Sequence, residues 1–255
     1  MNILAFIYNE ILYRPLFNAL VFLTNLVPGH DIGIAIVLLT LAVRIILFPV
    51  NHRSLITQIK MKALEPEIEK IKAETKNKTE EQGKRMMELY KEHGVSPFLG
   101  CLTLLIQLPI LIALYRVFFN GLSLSGTALY PFIIKPDFIS TKLFGALDLS
   151  SRSLFLGLLA SVSQFFQMKL AMPSLPAGGK SFKEEMSRAM AIQSLYVFPV
   201  LIFLISFRFP AALALYWTVN NLFATVHEGF VRVRARNLSN DAGRNNKTNN
   251  ERTLR

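Results

Sequence analysis

Ile32-Gly-Ile-Ala-Ile-Val-Leu-Leu-Thr-Leu-Ala-Val-Arg44-Ile-Ile-Leu-Phe-Pro-Val50 holds a single charge in nineteen residues. At the rise of an α-helix, a run of that length crosses about 30 Å of hydrocarbon. Four further runs have the same character: Phe98–Phe119, Leu154–Leu170, Ala191–Phe207 and Pro210–Val226. No ten-residue segment alternates apolar and polar residues as a membrane β-barrel requires, so the runs are predicted to span as helices. Only Arg208-Phe209-Pro210 connects the last two, which makes them an antiparallel pair. The whole chain is 52% hydrophobic and 18% charged, outside the range of ordinary soluble domains. Its net charge of +11 falls mostly between the apolar runs, the pattern of a membrane protein rather than of a nucleic-acid binder. The lone cysteine, Cys101, excludes a disulfide framework.

The gaps differ in kind. Residues 53–96 contain ten Lys and Arg and eight Glu, with apolar residues at Leu55, Ile59, Leu64, Ile68 and Ile71, then Met86, Met87, Leu89 and Tyr90. That stripe predicts a water-exposed helical hairpin turning near Thr75–Thr79. Residues 120–151 read as an irregular loop, and 171–190 as a basic connection with Pro173, Pro176, Gly178 and Gly179. A basic tail occupies 229–255. In residues 1–30, Glu10, Arg14, Asn18 and Asn25 share one helical face, which predicts an amphipathic interfacial helix broken at Pro15; an additional span is the alternative. Twenty Lys and Arg fall in the first gap, the third gap and the tail. The positive-inside rule therefore places the C-terminus in the cytoplasm and the N-terminus outside, in agreement with five spans.

Polar residues within the runs bear on function. Arg44 lies in the first span at 31–52, where an arginine at mid-bilayer costs about 2.5–3.5 kcal/mol. Snorkelling to the cytoplasmic headgroups is one explanation. Gln107, Gln164, Gln167, Asn220 and Asn221 lie at comparable depth in three of the four further spans within 97–228. Trp217, the sole tryptophan, sits mid-span on the face of Asn220 and Asn221. Short amides cannot reach headgroups, so the shared depth points to a wet recess open to the cytoplasm. Hydrogen bonding between helices is the other reading of each amide taken singly. His30, His52, His93 and His227 are dispersed, and no nucleophile motif or phosphate loop is present. The runs carry no Asp or Glu such as proton-coupled carriers bury. No catalytic residues, metal or cofactor are expected.

Five stretches stand out together: Gly33–Pro49 with Arg44, Leu64-Glu-Pro-Glu67, Leu89-Tyr-Lys-Glu-His-Gly-Val95, Gly100-Cys-Leu102 through Gln107-Leu-Pro109, and Phe209-Pro-Ala211 through Phe223. In combination they resemble the YidC/Oxa/Alb family of membrane protein insertases. The resemblance covers residues 32–228 and is to the compact form without the large outer domain; position 103 is Thr where the family carries Pro. It implies an all-α membrane protein with five transmembrane helices around a hydrophilic groove open to the cytoplasm, whose arginine is Arg44; Gln107, Gln164, Gln167, Trp217, Asn220 and Asn221, placed above by their positions in the runs, are expected to line the same groove. It further implies a bacterial inner-membrane location. The implied partners are nascent membrane proteins, the ribosome, the Sec translocon and the lipid bilayer. A small-solute channel or carrier using the same recess is the alternative from another functional class.

The orientation is testable directly. With Cys101 replaced, single cysteines at Asn77, Lys180 and Asn246 will be shielded from an impermeant thiol reagent added outside the cell, and one at Lys135 will react. Labelling at Asn77 from outside reverses the orientation.

Overall fold

The computed structural model describes residues 3–75, 78–96, 98–121, 129–172 and 182–253. The helices are α1 (Ile3–Tyr8), α2 (Arg14–Leu26), α3 (Ile32–Ile46), α4 (Phe48–Ala63), α5 (Glu65–Glu74), α6 (Thr79–Glu92), α7 (Phe98–Gly121), α8 (Leu154–Ala171), α9 (Phe182–Ile192), α10 (Phe198–Ser206) and α11 (Ala211–Thr253). Among the described residues one strand pair, β1 (Lys142–Leu143) and β2 (Leu147–Asp148), breaks the helical pattern. α8 is long and apolar enough to cross a bilayer, and so is Arg188–Ser206; α3 and α4 qualify as a pair broken at Leu47. The chain forms two units, Met1–Ile46 with Gln107–Val226, and Leu47–Ile106 with His227–Arg255.

In the first unit, two prolines coincide with a change of local helix geometry. A proline ring inside an α-helix strikes the carbonyl four residues back and removes one hydrogen bond. Pro15 and Pro199 are each preceded by a π-helical turn, Asn9–Tyr13 and Gln193–Val197. The N–H of Arg14 bonds Asn9 O and that of Phe198 bonds Gln193 O, five residues back. The wider turn displaces the obstructing carbonyl and lets each helix continue through its proline. α1 and α2 therefore follow one another with no break at Pro15, where the sequence predicts one.

Phe17, Leu20, Val21 and Thr24 of α2 are buried, and α2 packs on α3. Asn18 is buried as well: its amide donates to Arg14 O at 2.8 Å, and its Oδ1 accepts from Tyr130 N–H at 2.7 Å. Asn25 donates to Ile134 O at 2.7 Å. The polar face of this segment thus lies against the loop at 130–134. The large apolar residues Ile3, Phe6, Ile7, Ile11, Phe22 and Leu26 are exposed. An apolar outer face beside a polar inner one is the arrangement that hydrocarbon favours and water opposes.

α8 and α10 pack closely because small residues meet. A Cβ on Gly157 would stand 2.7 Å from Ser206 Cβ, and Ser161 Oγ donates to Pro199 O at 2.8 Å. Their outer faces expose Phe155, Leu158, Val162 and Phe166 on α8, and Val200, Leu201 and Leu204 on α10. So large an apolar surface is matched by lipid.

The 120–151 segment, expected to be irregular, contains the strand hairpin. Strands of two residues are too short to leave a sequence pattern. Asp31, buried beneath it, accepts three backbone N–H bonds. Oδ1 takes Gly33 at 2.8 Å and Ile34 at 3.3 Å, capping α3; Oδ2 takes Phe144 at 2.7 Å. Phe144 has φ of +50°, rare for a residue with a side chain, and the Asp31 bond holds it there. Ser140 pairs with His30 and Ile32 at the start of α3. Ser151 and Leu149 accept the N–H groups of Ala211 and Ala212 at the start of α11. The loop is therefore fastened to the first turns of both helices. At its far end, the Ser150 hydroxyl and N–H hold the Asp148 carboxyl below its ordinary range.

In the second unit, the predicted helical pair has three helices. α4 starts at Phe48, with Pro49 in its first turn, and runs past residue 52, where sequence reading ended the first span. α5 begins at Glu65 because Pro66 has no N–H to continue α4. α5 and α6 enclose a small core of Leu64, Leu89 and Val95, with Met61, Ile68, Ile71 and Tyr90 packed against it. Arg85 bridges Glu74 and Glu81 at 3.0 and 2.8 Å. Lys78, then Arg85, hold the Glu81 carboxyl low; burial pushes the Tyr90 phenol up. Residues 76 and 77, within the predicted turn, and 173–181, within the basic connection, lie outside the described residues.

Gly33 tests the seating of the strand hairpin on α3. A Cβ there would meet Leu143 Cδ1 at 2.6 Å and Leu149 Cδ1 at 2.8 Å. Gly33→Val will destabilise the protein by about 1–3 kcal/mol through overpacking, read as a lower thermal midpoint in detergent. An unchanged midpoint means that the hairpin does not rest on α3.

Candidate functional site

Arg44 leaves α3 half-buried and meets α11. Its Nε donates to Asn220 Oδ1 at 2.7 Å and its Nη2 to Asn220 O at 3.3 Å; the guanidinium lies 6.0 Å from the centre of the Phe223 ring. Among the described residues, no carboxylate lies within ion-pair distance of it. Asn220 satisfies two donors without neutralising the charge. A guanidinium has five N–H donors in a fixed fork, so capacity remains for another acceptor.

On α7, Gln107 donates through Nε2 to the Tyr216 hydroxyl at 2.8 Å. Tyr216, only 2% exposed, sits four residues before Asn220 on α11 and so on the same side of that helix. α11 thereby reaches both α3 and α7 with successive turns.

Asn220 and Asn221 have different partners. Asn221, 3% exposed, donates through Nδ2 to Ser163 Oγ on α8 at 3.2 Å. Consecutive helical residues point about 100° apart, which is how neighbours serve opposite flanks. Gln164 is buried, and its Nε2 approaches Gln167 Oε1 at 3.5 Å, at the limit of a hydrogen bond. Trp217 is half-buried on α11. The structure thus joins Arg44 to Asn220, Gln107 to Tyr216, Asn221 to Ser163, and Gln164 to Gln167. Sequence reasoning missed Tyr216 and Ser163. Tyr216 adjoins the singled-out Trp217, but its hydroxyl gave no signal until a partner helix was known; Ser163 looked like an ordinary small residue of an apolar helix. Among the described residues, no group of three or more His, Cys, Asp or Glu is placed to hold a metal ion.

The arrangement offers one unneutralised cation and several amide and hydroxyl groups within helices that are otherwise apolar. Its chemistry is hydrogen bonding and charge attraction. The model of the 60Kd inner membrane protein family matches residues 22–237, a range that holds every one of these groups. The chain belongs to that family. It is a helical membrane protein. It is 34% identical over 195 residues to the membrane protein insertase YidC of Clostridium tetani, covering 76% of this chain and 79% of that protein. It is 33% identical over 225 residues to the membrane protein insertase YidC of Fusobacterium nucleatum, covering 86% and 96%. To the membrane protein insertase MisCA of Bacillus subtilis it is 30% identical over 222 residues, covering 85% and 76%.

The α7–α11 contact can be measured. Tyr216→Phe removes the acceptor of the Gln107 amide and will cost about 1–3 kcal/mol of thermal stability. In a double-mutant cycle, Gln107→Leu will cost less in the Tyr216→Phe background than alone. Strict additivity means that the two side chains do not interact.

Proposed function

We propose that this chain is a membrane protein insertase of the bacterial inner membrane. It receives nascent or short membrane proteins in a hydrophilic groove and releases their apolar segments sideways into lipid. Five helices span the bilayer, with the N-terminus outside and the C-terminus in the cytoplasm. Residues 1–30 form the interfacial helix, 53–96 the cytoplasmic hairpin and 229–255 the basic tail. Arg44, Gln107, Gln164, Gln167, Trp217, Asn220 and Asn221 line the groove. Substrates come from the ribosome or from the Sec translocon.

The observation that carries this reading is Arg44, held by the neutral Asn220 with its charge unmatched among the described residues. A polar segment crossing the membrane must shed its water, and that desolvation is the barrier. A wet recess part-way through shortens the dry path. A cation at that depth attracts carboxylates on the translocating segment. The amides offer its backbone replacement hydrogen bonds, and hydrophobic partition moves the apolar segment into lipid. Neither nucleotide nor metal is required. The clamped strand hairpin at 142–148, fastened to α3 and α11, supports closure at the outer end.

The test uses one model substrate whose translocated segment carries or lacks aspartates. Arg44→Ala will impair insertion of the acidic version more than the neutral one, and Arg44→Lys will retain much of the activity. The alanine variant will still accumulate in the membrane, because its span is easier to insert. Equal insertion of the acidic substrate by wild type and Arg44→Ala makes Arg44 a snorkelling anchor and overturns electrostatic capture.

A further inference from the structure

Two histidines outside the candidate groove face each other. His52 lies on α4 and His227 on α11, both in the second unit. His52 Nδ1 stands 3.1 Å from His227 Nε2. The ring centres are 5.4 Å apart and the planes 23° from parallel. The centre separation exceeds the nitrogen separation by about two ring radii, so both nitrogens lie near the line between the rings. This is a head-on hydrogen bond, not a face-to-face stack. Phe48 closes one side, 5.3 Å from the His52 ring centre and 4.6 Å from that of His227. Both imidazoles are half-buried.

A contact of this kind needs one proton between two nitrogens, because an imidazole nitrogen donates only when protonated and accepts only when not. Two neutral rings satisfy it with complementary tautomers. One added proton keeps it: the donor ring becomes an imidazolium and the bond becomes charge-assisted. A second proton places N–H on both facing nitrogens, removes the acceptor and sets two cations against each other. Neither of the charged residues next along the two helices favours that state. Arg53, next along α4, is exposed and positive. Glu228, next along α11, is buried and already engaged by Arg232 Nε and Nη2 at 2.9 and 2.7 Å.

We propose that His52 and His227 form a proton-sensitive latch that fastens α4, the first helix of the hairpin segment, to α11. The latch is closed with no added proton or one, and open with two. Histidines gain their protons between about pH 5 and 8, so the latch holds at neutral and alkaline pH and is lost as the pH falls. It stands on this geometry alone and does not depend on the insertase reading.

The experiment uses the full chain in liposomes, with Cys101→Ser and spin labels on cysteines at the exposed positions Gln58 and Arg234. Distances are recorded at about pH 8 and about pH 5, bracketing the histidine range, with and without a metal chelator. The wild-type pair will give one narrow distribution at the higher pH and a longer, broader one at the lower. His227→Gln puts an amide where Nε2 stood; its oxygen accepts from His52 Nδ1–H whatever the charge on that ring. This variant will stay narrow at both pH values, and His227→Ala will be broad at both. A wild-type distribution that does not change with pH overturns the proposal. So does a His227→Gln variant that opens in acid as the wild type does. A latch that chelator opens at the higher pH is held by a metal and not by a proton.

Discussion

A polar group surrounded by hydrocarbon has no water to bond with, so each one must find a partner inside the protein. The rest of the structure depends on that constraint. Arg44 carries the greatest such demand, and α11 meets it with the side chain and carbonyl of Asn220. One turn earlier the same helix receives Gln107 through Tyr216, and on its other flank Asn221 reaches Ser163. These bonds join α3, α7 and α8 to α11 at points where simple apolar packing would leave the helices free to slide. The partners are neutral. A carboxylate beside Arg44 would have satisfied it equally well and cancelled its charge. The asparagine satisfies the donors and leaves the charge available.

The same constraint shapes the backbone. Each internal proline frees a carbonyl, and a free carbonyl in lipid costs several kcal/mol. The π turns before Pro15 and Pro199 re-pair the neighbouring backbone five residues apart rather than four. At the same place Ser161 donates to the Pro199 carbonyl, which ties α8 to the start of α10. The prolines therefore shift the phase of their helices without ending them. That shift decides which residues of α2 and α10 face the neighbouring helix and which face outward.

Asp31 solves a related problem where α3 begins. The first turn of a helix has N–H groups without partners. One buried carboxylate caps two of them and holds the strained Phe144 besides. Gly33, two residues on, has no side chain because the hairpin needs that space. Cap, glycine and hairpin form one device, and the hydrogen bonds from Ser151 and Leu149 extend it to the start of α11.

Sequence alone determined the class of this protein, because class is set by quantities that add along the chain. The length of an apolar run, the absence of alternation and the position of lysines and arginines need no partner to be read. The positions of Arg44, Gln107, Gln164, Gln167, Asn220 and Asn221 within apolar runs are likewise read by counting along the chain. Tertiary structure decided what pairing alone can decide. It matched Arg44 with Asn220, turned Asn221 toward Ser163, recruited Tyr216 and set His52 against His227. It also carried α2 through Pro15 and built a hairpin from strands of two residues. The physical reason is common to all of these. A hydrogen bond acts over about 3 Å and requires direction, so it depends on which helices touch and at what rotation. Periodicity within one segment carries no record of the rotation of another.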